Sequence, residues 1–301
     1  MISKALSLTI KHYIDLEYFA NGLAEDFQIL LDELKARCDK AITTQKTFNT
    51  KLSYNMVLQI IKEEVRKFKA ELLERLEETA TVISEREVEF LNKTYNTKSK
   101  TLLPKLSDIS LSSLLFVPFD KRDTVKQFVD RAAQNILSSY EMPLRSGYLF
   151  GQDSEAIVTQ ASQRIKQTGK GIQSGIQTAV PTFAKTTDKI VFMKNLQPVI
   201  YCAVLDSATC IVCGSYSGMV FKTAYEAPEL GQHDRCRCFL LPASEVTEEI
   251  PSYEEFLESL SEKEQRKILG KNRYELWKEE GIHLTQFVNN GRKLRLDEID
   301  T

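Results

Sequence analysis

The chain has 301 residues, enough for two domains with at least one sizeable core, and its 42% apolar and 27% charged residues exclude a disordered chain. Forty Lys and Arg against 42 Asp and Glu leave a formal charge of -2, so neither a global basic excess for nucleic acid nor an acidic excess is present. The first residues lack the apolar core and cleavage site of a signal peptide, and no stretch approaches the roughly 18 apolar residues of a membrane span. The expected setting is therefore a cytoplasm, where clustered cysteines bind metal more often than they pair.

No proline precedes Pro104, and Gly22 is the sole glycine before Gly147, so the first hundred residues are expected to be mostly helix. Leu6, Ile10, Tyr13, Leu16, Ala20, Leu23, Phe27, Leu31, Leu34 and Cys38 recur at three- and four-residue steps. So do Tyr54, Leu58, Ile61, Val65, Phe68, Leu72, Leu76, Ala80 and Ile83. The polar run AITTQKTFNTK between them predicts the connection of an antiparallel helical hairpin over 1–103. Its apolar stripe needs cover, and Val65 and Phe68 are the candidate residues for self-association or partner docking. Cys38 on that stripe reads as a core thiol.

A mostly helical middle region is expected over 104–197, beginning with an ordered connection around Pro104 and Pro118. TVKQFVDRAAQNILSSY and SEAIVTQASQRIKQ read as helices, the second ending at TGKGIQSG. Gly169, Gly171 and Gly175 follow no strand and close no Gly-Lys-Ser/Thr motif, so they predict a surface turn and not a phosphate loop.

From Pro198 to the C-terminus the texture is α+β. PVIYCAVLD, GMVF and CRCFLLP read as three short strands. The stretch Thr209–Cys238 holds four of the six cysteines and one of the three histidines. Cys210 and Cys213 stand at Cys-x-x-Cys spacing in a turn, which directs two sulfurs to one tetrahedral ion. His233 and Cys236 complete a four-ligand set, with Cys238 the alternative fourth ligand, and Cys202 is left to the core. Thiolate and imidazole donors select zinc over magnesium or calcium. Structural zinc, reduced thiols packed without metal, and a disulfide formed in an oxidising medium all fit the spacing.

Catalytic zinc fits poorly. Four protein ligands leave no position for water, and no glutamate stands in a His-x-Glu or His-Glu-x-x-His frame. Zinc deaminases place the Cys-x-x-Cys pair after the histidine, the reverse of the order here. No catalytic constellation is recognisable, and the expectation is a binding protein, not an enzyme.

The segment AVLDSATCIVCGSYSGMVF and the later PELGQHDRCRCFLLP resemble the C-terminal module of the Mu F-like phage head morphogenesis family, the minor head proteins of tailed phages. The matching positions are Asp206, Thr209, Cys210, Cys213, Gly218, Val220, Phe221, His233, Cys236, Arg237 and Cys238. Ala208 stands where that family commonly has Arg, and Asp234 where it commonly has Pro. The resemblance continues through Leu269, Gly270, Arg273 and Leu276 and spans about Asp153 to Ile299, half of the chain. It implies a low-copy, portal-associated capsid protein that assists procapsid assembly or genome delivery. Its partners would be the portal protein and also the major capsid or scaffolding protein, in the host cytoplasm during assembly and then in the virion. Two other readings come from different classes: DNA binding through patches such as KILGKNRYELWK, and an ejected effector carrying a toxin-type module.

Downstream of the cysteines, Ser252/Glu255 and Ser261/Glu264 have capping-box spacing and predict short helices ended by Gly270 and Gly281. Arg273 and Trp277 share a helical face, so this tail is expected to fold back on the cysteine module. Each half carries its own apolar core and capping signals, so neither is expected to need the other to fold.

Overall fold

A computed structural model describes residues 4–45, 50–95, 110, 114–117, 123–195, 197–230, 236–246, 250–289 and 292–299. Of the expected connection around Pro104 and Pro118, the two prolines and most of its residues lie outside these bounds. The architecture is α+β and mostly helical, with a small antiparallel sheet near the C-terminus. Helices α1 (Lys4–Thr43) and α2 (Lys51–Tyr95) fill the segments that lack helix breakers. Helix α3 (Val125–Phe150) starts at a Thr124/Gln127 capping box and ends at Gly151, which takes a left-handed φ of 68°. It runs ten residues beyond the predicted end at Tyr140, with Pro143 inside it.

Helix α4 (Ser154–Asn195) corrects the expected surface turn, because it passes through Gly169, Gly171, Gly175 and Pro181 without a break. Two of those glycines are contact points. A Cβ on Gly175 would lie 2.2 Å from the Phe128 ring, and one on Gly169 would lie 3.0 Å from Leu31 Cδ2. Their missing side chains let neighbouring helices pack close, a need that turn-oriented reading does not register.

The chain forms two compact units, and these cut across the sequence-based divisions at 103/104 and 197/198. One unit comprises Leu16–Val82 and Leu111–Val180. Its antiparallel hairpin is fixed by Arg37 Nε donating to Glu64 at 2.7 Å and by the Arg75 guanidinium 5.9 Å from the Phe27 ring. Phe27, Leu31, Leu34, Cys38, Leu58, Ile61, Leu72 and Leu76 are buried there together with Val129 and Ile136 of α3. Val65 and Phe68 are also buried, at 5% and 1% exposure. They are core residues and offer no docking surface, because this chain already covers the stripe that the hairpin alone would leave open.

The other unit comprises Met1–Asp15, Ile83–Ser110 and Pro181–Thr301. The start of α1 and the end of α2 thus group with the C-terminal residues in one compact unit. The three predicted strands form, in the order β2-β1-β3: β1 (Val199–Cys202) lies between β2 (Val220–Phe221) and β3 (Phe239–Pro242), antiparallel to both. In register, Ile200 faces Val220 on one side and Leu241 on the other, and Cys202 faces Phe239.

A one-turn helix, α5 (Ile211–Ser215), separates β1 from β2, where a turn alone was expected. Both predicted capping boxes are present, at the starts of α6 (Tyr253–Glu258) and α7 (Glu262–Leu269). Gly270, at φ 78°, ends α7 and leads directly into α8 (Lys271–Lys278), and Gly281 takes a φ of 71°. The tail folds back as expected. Ile211 and Val212 of α5 share a core with Tyr253, Leu257, Trp277 and Phe287. Arg273 Nη2 donates to the Leu294 carbonyl at 2.5 Å, tying α8 to the strand pair β4 (Val288–Asn289) and β5 (Arg292–Lys293).

Candidate metal centre

The loop leaving β1 is closed by its own polar side chains. Asp206 N–H donates to Thr209 Oγ1 at 2.8 Å, Thr209 Oγ1 donates to the Val204 carbonyl at 2.5 Å, and Ala208 N–H donates to Asp206 Oδ1 at 2.8 Å. These bonds deliver Cys210 to the N-cap of α5, where its sulfur accepts the Cys213 N–H at 3.3 Å. Gly214 is required next. A Cβ there would lie 2.4 Å from the ring of Tyr253, whose hydroxyl donates to the Thr209 carbonyl at 3.0 Å. That glycine was not singled out in the sequence, although its place directly after Cys-x-x-Cys marks a close approach.

The chain then reverses at Gly218, where φ is 81°, its N–H donates to the Tyr201 carbonyl at 2.9 Å, and a Cβ would lie 3.1 Å from the Ile250 carbonyl oxygen. Cys236 and Cys238 enter β3 from the opposite side. Being two apart in extended chain, they present their sulfurs to one face. The ligand atoms of Cys213, Cys236 and Cys238 all lie within 4.8 Å of one another, and all three residues are buried. Cys238 therefore joins the centre together with Cys236, where the sequence reading admitted only one of them. Cys210 is half-buried and hydrogen-bonds through its side chain with Cys213, adjacent to this mutual set but outside it. His233 lies outside the described residues. Cys202 is a buried core residue of β1, as expected.

The geometry excludes a Cys213–Cys236 disulfide. All six cysteines are free, and Cys213 Sγ lies 3.8 Å from Cys236 Sγ, far beyond the disulfide length of about 2 Å. Sulfurs held by a tetrahedral ion at about 2.3 Å are about 3.8 Å apart, so the pair is spaced for a shared metal. The buried three-cysteine cluster can hold a metal ion.

Hydrogen bonds from the Cys213 and Cys238 thiols hold Cys236 well below the usual thiol range, and the Lys185 ammonium adds to the effect. Hydrogen bonds with Cys210, Cys236 and Cys238, with burial added, push Cys213 up. Cys213 pulls Cys238 down, but the hydrogen bond with Cys236 and burial outweigh it and leave Cys238 raised. The buried Tyr201 hydroxyl has Cys238, Cys213 and Cys236 as its electrostatic neighbours, and burial raises it.

Arg237 stands between the two cysteines and clamps the loop bidentately, with Nη1 to Asp206 Oδ2 at 2.5 Å and Nη2 to Oδ1 at 2.7 Å. This pair holds the Asp206 carboxyl below its usual range. Trp277 is buried, with its ring edge-on to Tyr274 at 6.2 Å.

The same unit contains a second polar group that the sequence reading passed over. Glu87 of α2 and Asp188 of α4, both buried, face one another across the helices. His12 Nε2 lies 2.7 Å from Glu87 Oε2, and Tyr13 donates to Asp188 Oδ2 at 2.7 Å. Burial pushes the Glu87 carboxyl up to about 7, and burial together with the Glu87 charge pushes Asp188 well up. The signal was available, since Glu87 continues the buried stripe midway between Ile83 and Leu91.

Comparison with known proteins finds no family whose profile matches the chain, and no curated protein or solved structure that matches it.

Proposed function

We propose that this protein is a structural minor head protein of a tailed phage, docking at the portal vertex, with its C-terminal module held by a structural zinc ion. The observation that carries the reading is the connectedness of the motif on which the resemblance rests. Asp206, Thr209 and Arg237 form one hydrogen-bonded clamp, and it brackets the chain at Cys210, Cys236 and Cys238. A resemblance spread over unconnected positions would carry less weight.

Zinc suits a thiolate-rich donor set, with Cys213, Cys236 and Cys238 as three ligands and Cys210 or His233 as the fourth. Zinc would supply a cross-link between α5 and the segment that enters β3. The reading is supported by the 3.8 Å separation of the Cys213 and Cys236 sulfurs and by the buried Tyr201 hydroxyl, which is a hydrogen-bonding neighbour of Cys238.

Cross-linking mass spectrometry on procapsids tests the docking. The expected result is cross-links from this chain to the portal protein, with any to major capsid or scaffolding protein in the minority. Links to shell protein alone would overturn portal docking. Recovery with DNA instead, in a complex whose affinity falls steeply with salt, would favour the DNA-binding reading.

A further inference from the structure

We propose that Lys185 is the counter-charge of the metal centre, a positioning residue that makes coordination by several thiolates sustainable in a buried site and ties metal loading to α4. The inference rests on the metal reading above and deepens it. Lys185 is 2% exposed. A buried ammonium is costly unless it is paired, yet among the described residues no carboxylate lies within ion-pair range of it. Its Nζ donates to the Cys236 carbonyl and lies 5.7 Å from the centre of the Tyr13 ring. A carbonyl and a ring face orient the cation without neutralising it.

Lys189, one turn further along α4, provides the contrast. It is also buried, but it has a carboxylate, with Nζ to Glu229 Oε1 at 2.6 Å, and it donates to the Ala227 carbonyl at 3.2 Å. Two lysines one turn apart on α4 thus bond to Cys236 and to Ala227 and Glu229, and among the described residues the one without a carboxylate partner is the one beside the cysteines. Three thiolates around a divalent ion carry a net charge of -1, and a fourth makes it -2. A fixed ammonium at Cys236 offsets that charge where water cannot. Lys185 sits on α4 and Cys236 leads into β3, so the same charge joins metal occupancy to the packing of helix on module.

The test uses the full chain with zinc and cobalt(II) as probes. The wild type is compared with Lys185→Met, Lys185→Gln and Lys185→Arg. Affinity is read by competition with a chromophoric chelator, and thiolate number by the cobalt charge-transfer band. The Met and Gln variants should still bind one equivalent at saturation, but roughly tenfold to hundredfold more weakly, with Arg recovering part of the loss. Gln keeps a donor for the Cys236 carbonyl without the charge. A normal affinity for Gln, or for Met where that variant folds, would overturn the proposal and leave Lys185 a hydrogen-bonding or packing residue. A wild type that binds no metal would remove the centre and this role together, whereas a wild type that loads and charge-free variants of equal affinity remove only the role.

Discussion

The two units of this protein are built partly from the same helices but by different rules. Where α1, α2 and α4 run through the unit containing Phe27, Phe68 and Ile136, its buried polar residues among those described are Thr79, Ser139 and Thr178, all hydroxyls that bond back to their own helix. Where the same helices enter the unit that holds the cysteine cluster, Glu87, Lys185, Asp188 and Lys189 are buried. A hydroxyl can satisfy itself within one helix, but a buried charge needs a partner from another element. Core stability in the first unit should therefore depend mainly on volume and shape, and in the second on metal and pH as well.

The largest expected effect breaks the metal-dependent side of that contrast. Cys213→Ser should lose the metal and destabilise the cysteine-bearing unit by several kcal/mol, since metal binding energy is folding energy. Elemental analysis checks the first outcome, and hydrogen exchange checks the second: protection should fall over 199–242 before it falls over 57–76. Cys238→Ser should act like Cys213→Ser, Cys210→Ser should retain part of the affinity, and Cys202→Ser should keep the full equivalent. Metal-free wild-type protein whose melting is unchanged by chelators would end this line.

On the other side, Phe68→Ala should cost about 3–5 kcal/mol through the cavity it leaves, with metal content unchanged. Calorimetry combined with elemental analysis separates the two. A variant that stays as stable as the wild type but loses self-association would restore Phe68 to the docking role that its burial argues against.

Next comes the carboxyl pair. The folded value of Glu87, about 7, lies above its ordinary 4.5. Its favourable contribution is thus complete below the ordinary value and is lost as pH rises through 7, on the order of 3 kcal/mol in all. The lowered pKa of His12, caused by burial, works in the opposite direction near neutrality. Glu87→Gln keeps the shape and removes the titration, so the stability difference between variant and wild type should grow from pH 5 to pH 8. Denaturant melts across that range check it, and a constant difference would mean that Glu87 is already ionised when folded.

Legibility in the sequence followed the same divide. The two hairpin helices, the three strands and the capping boxes at Ser252 and Ser261 were readable because each depends on local periodicity or on a three-residue spacing. The cysteine centre was readable as a set but not in its membership. Whether Cys210 or Cys238 lies closer to Cys213 depends on how the chain returns from Gly218 through β2, and spacing does not carry that. The Glu87–Asp188 pair and Lys185 depend on α2, α4 and β3 meeting in space, at separations of up to about a hundred residues. Their one local trace was a charge on an apolar stripe.

The glycines of α4 show how a misread residue type can still be settled by a small measurement. Gly171 and Gly175 stand one turn apart in one helix, and neither has a positive φ, so alanine suits the backbone at both positions equally. Their surroundings differ. Nothing lies within 4 Å of a Cβ at Gly171, whereas at Gly175 it would meet the Phe128 ring at 2.2 Å, and that ring is itself buried. Gly171→Ala should therefore stabilise the protein by about 0.5–1 kcal/mol, through the backbone freedom it removes from the unfolded chain. Gly175→Ala gains the same term but must displace the ring, at a cost of about 1–3 kcal/mol, and should be destabilising overall. Opposite signs from one substitution in one helix would establish that α4 is continuous and packed at Gly175. Stabilisation at neither site and loss at both would return the segment to a turn with backbone angles that only glycine adopts, and the close approach of Phe128 would go with it.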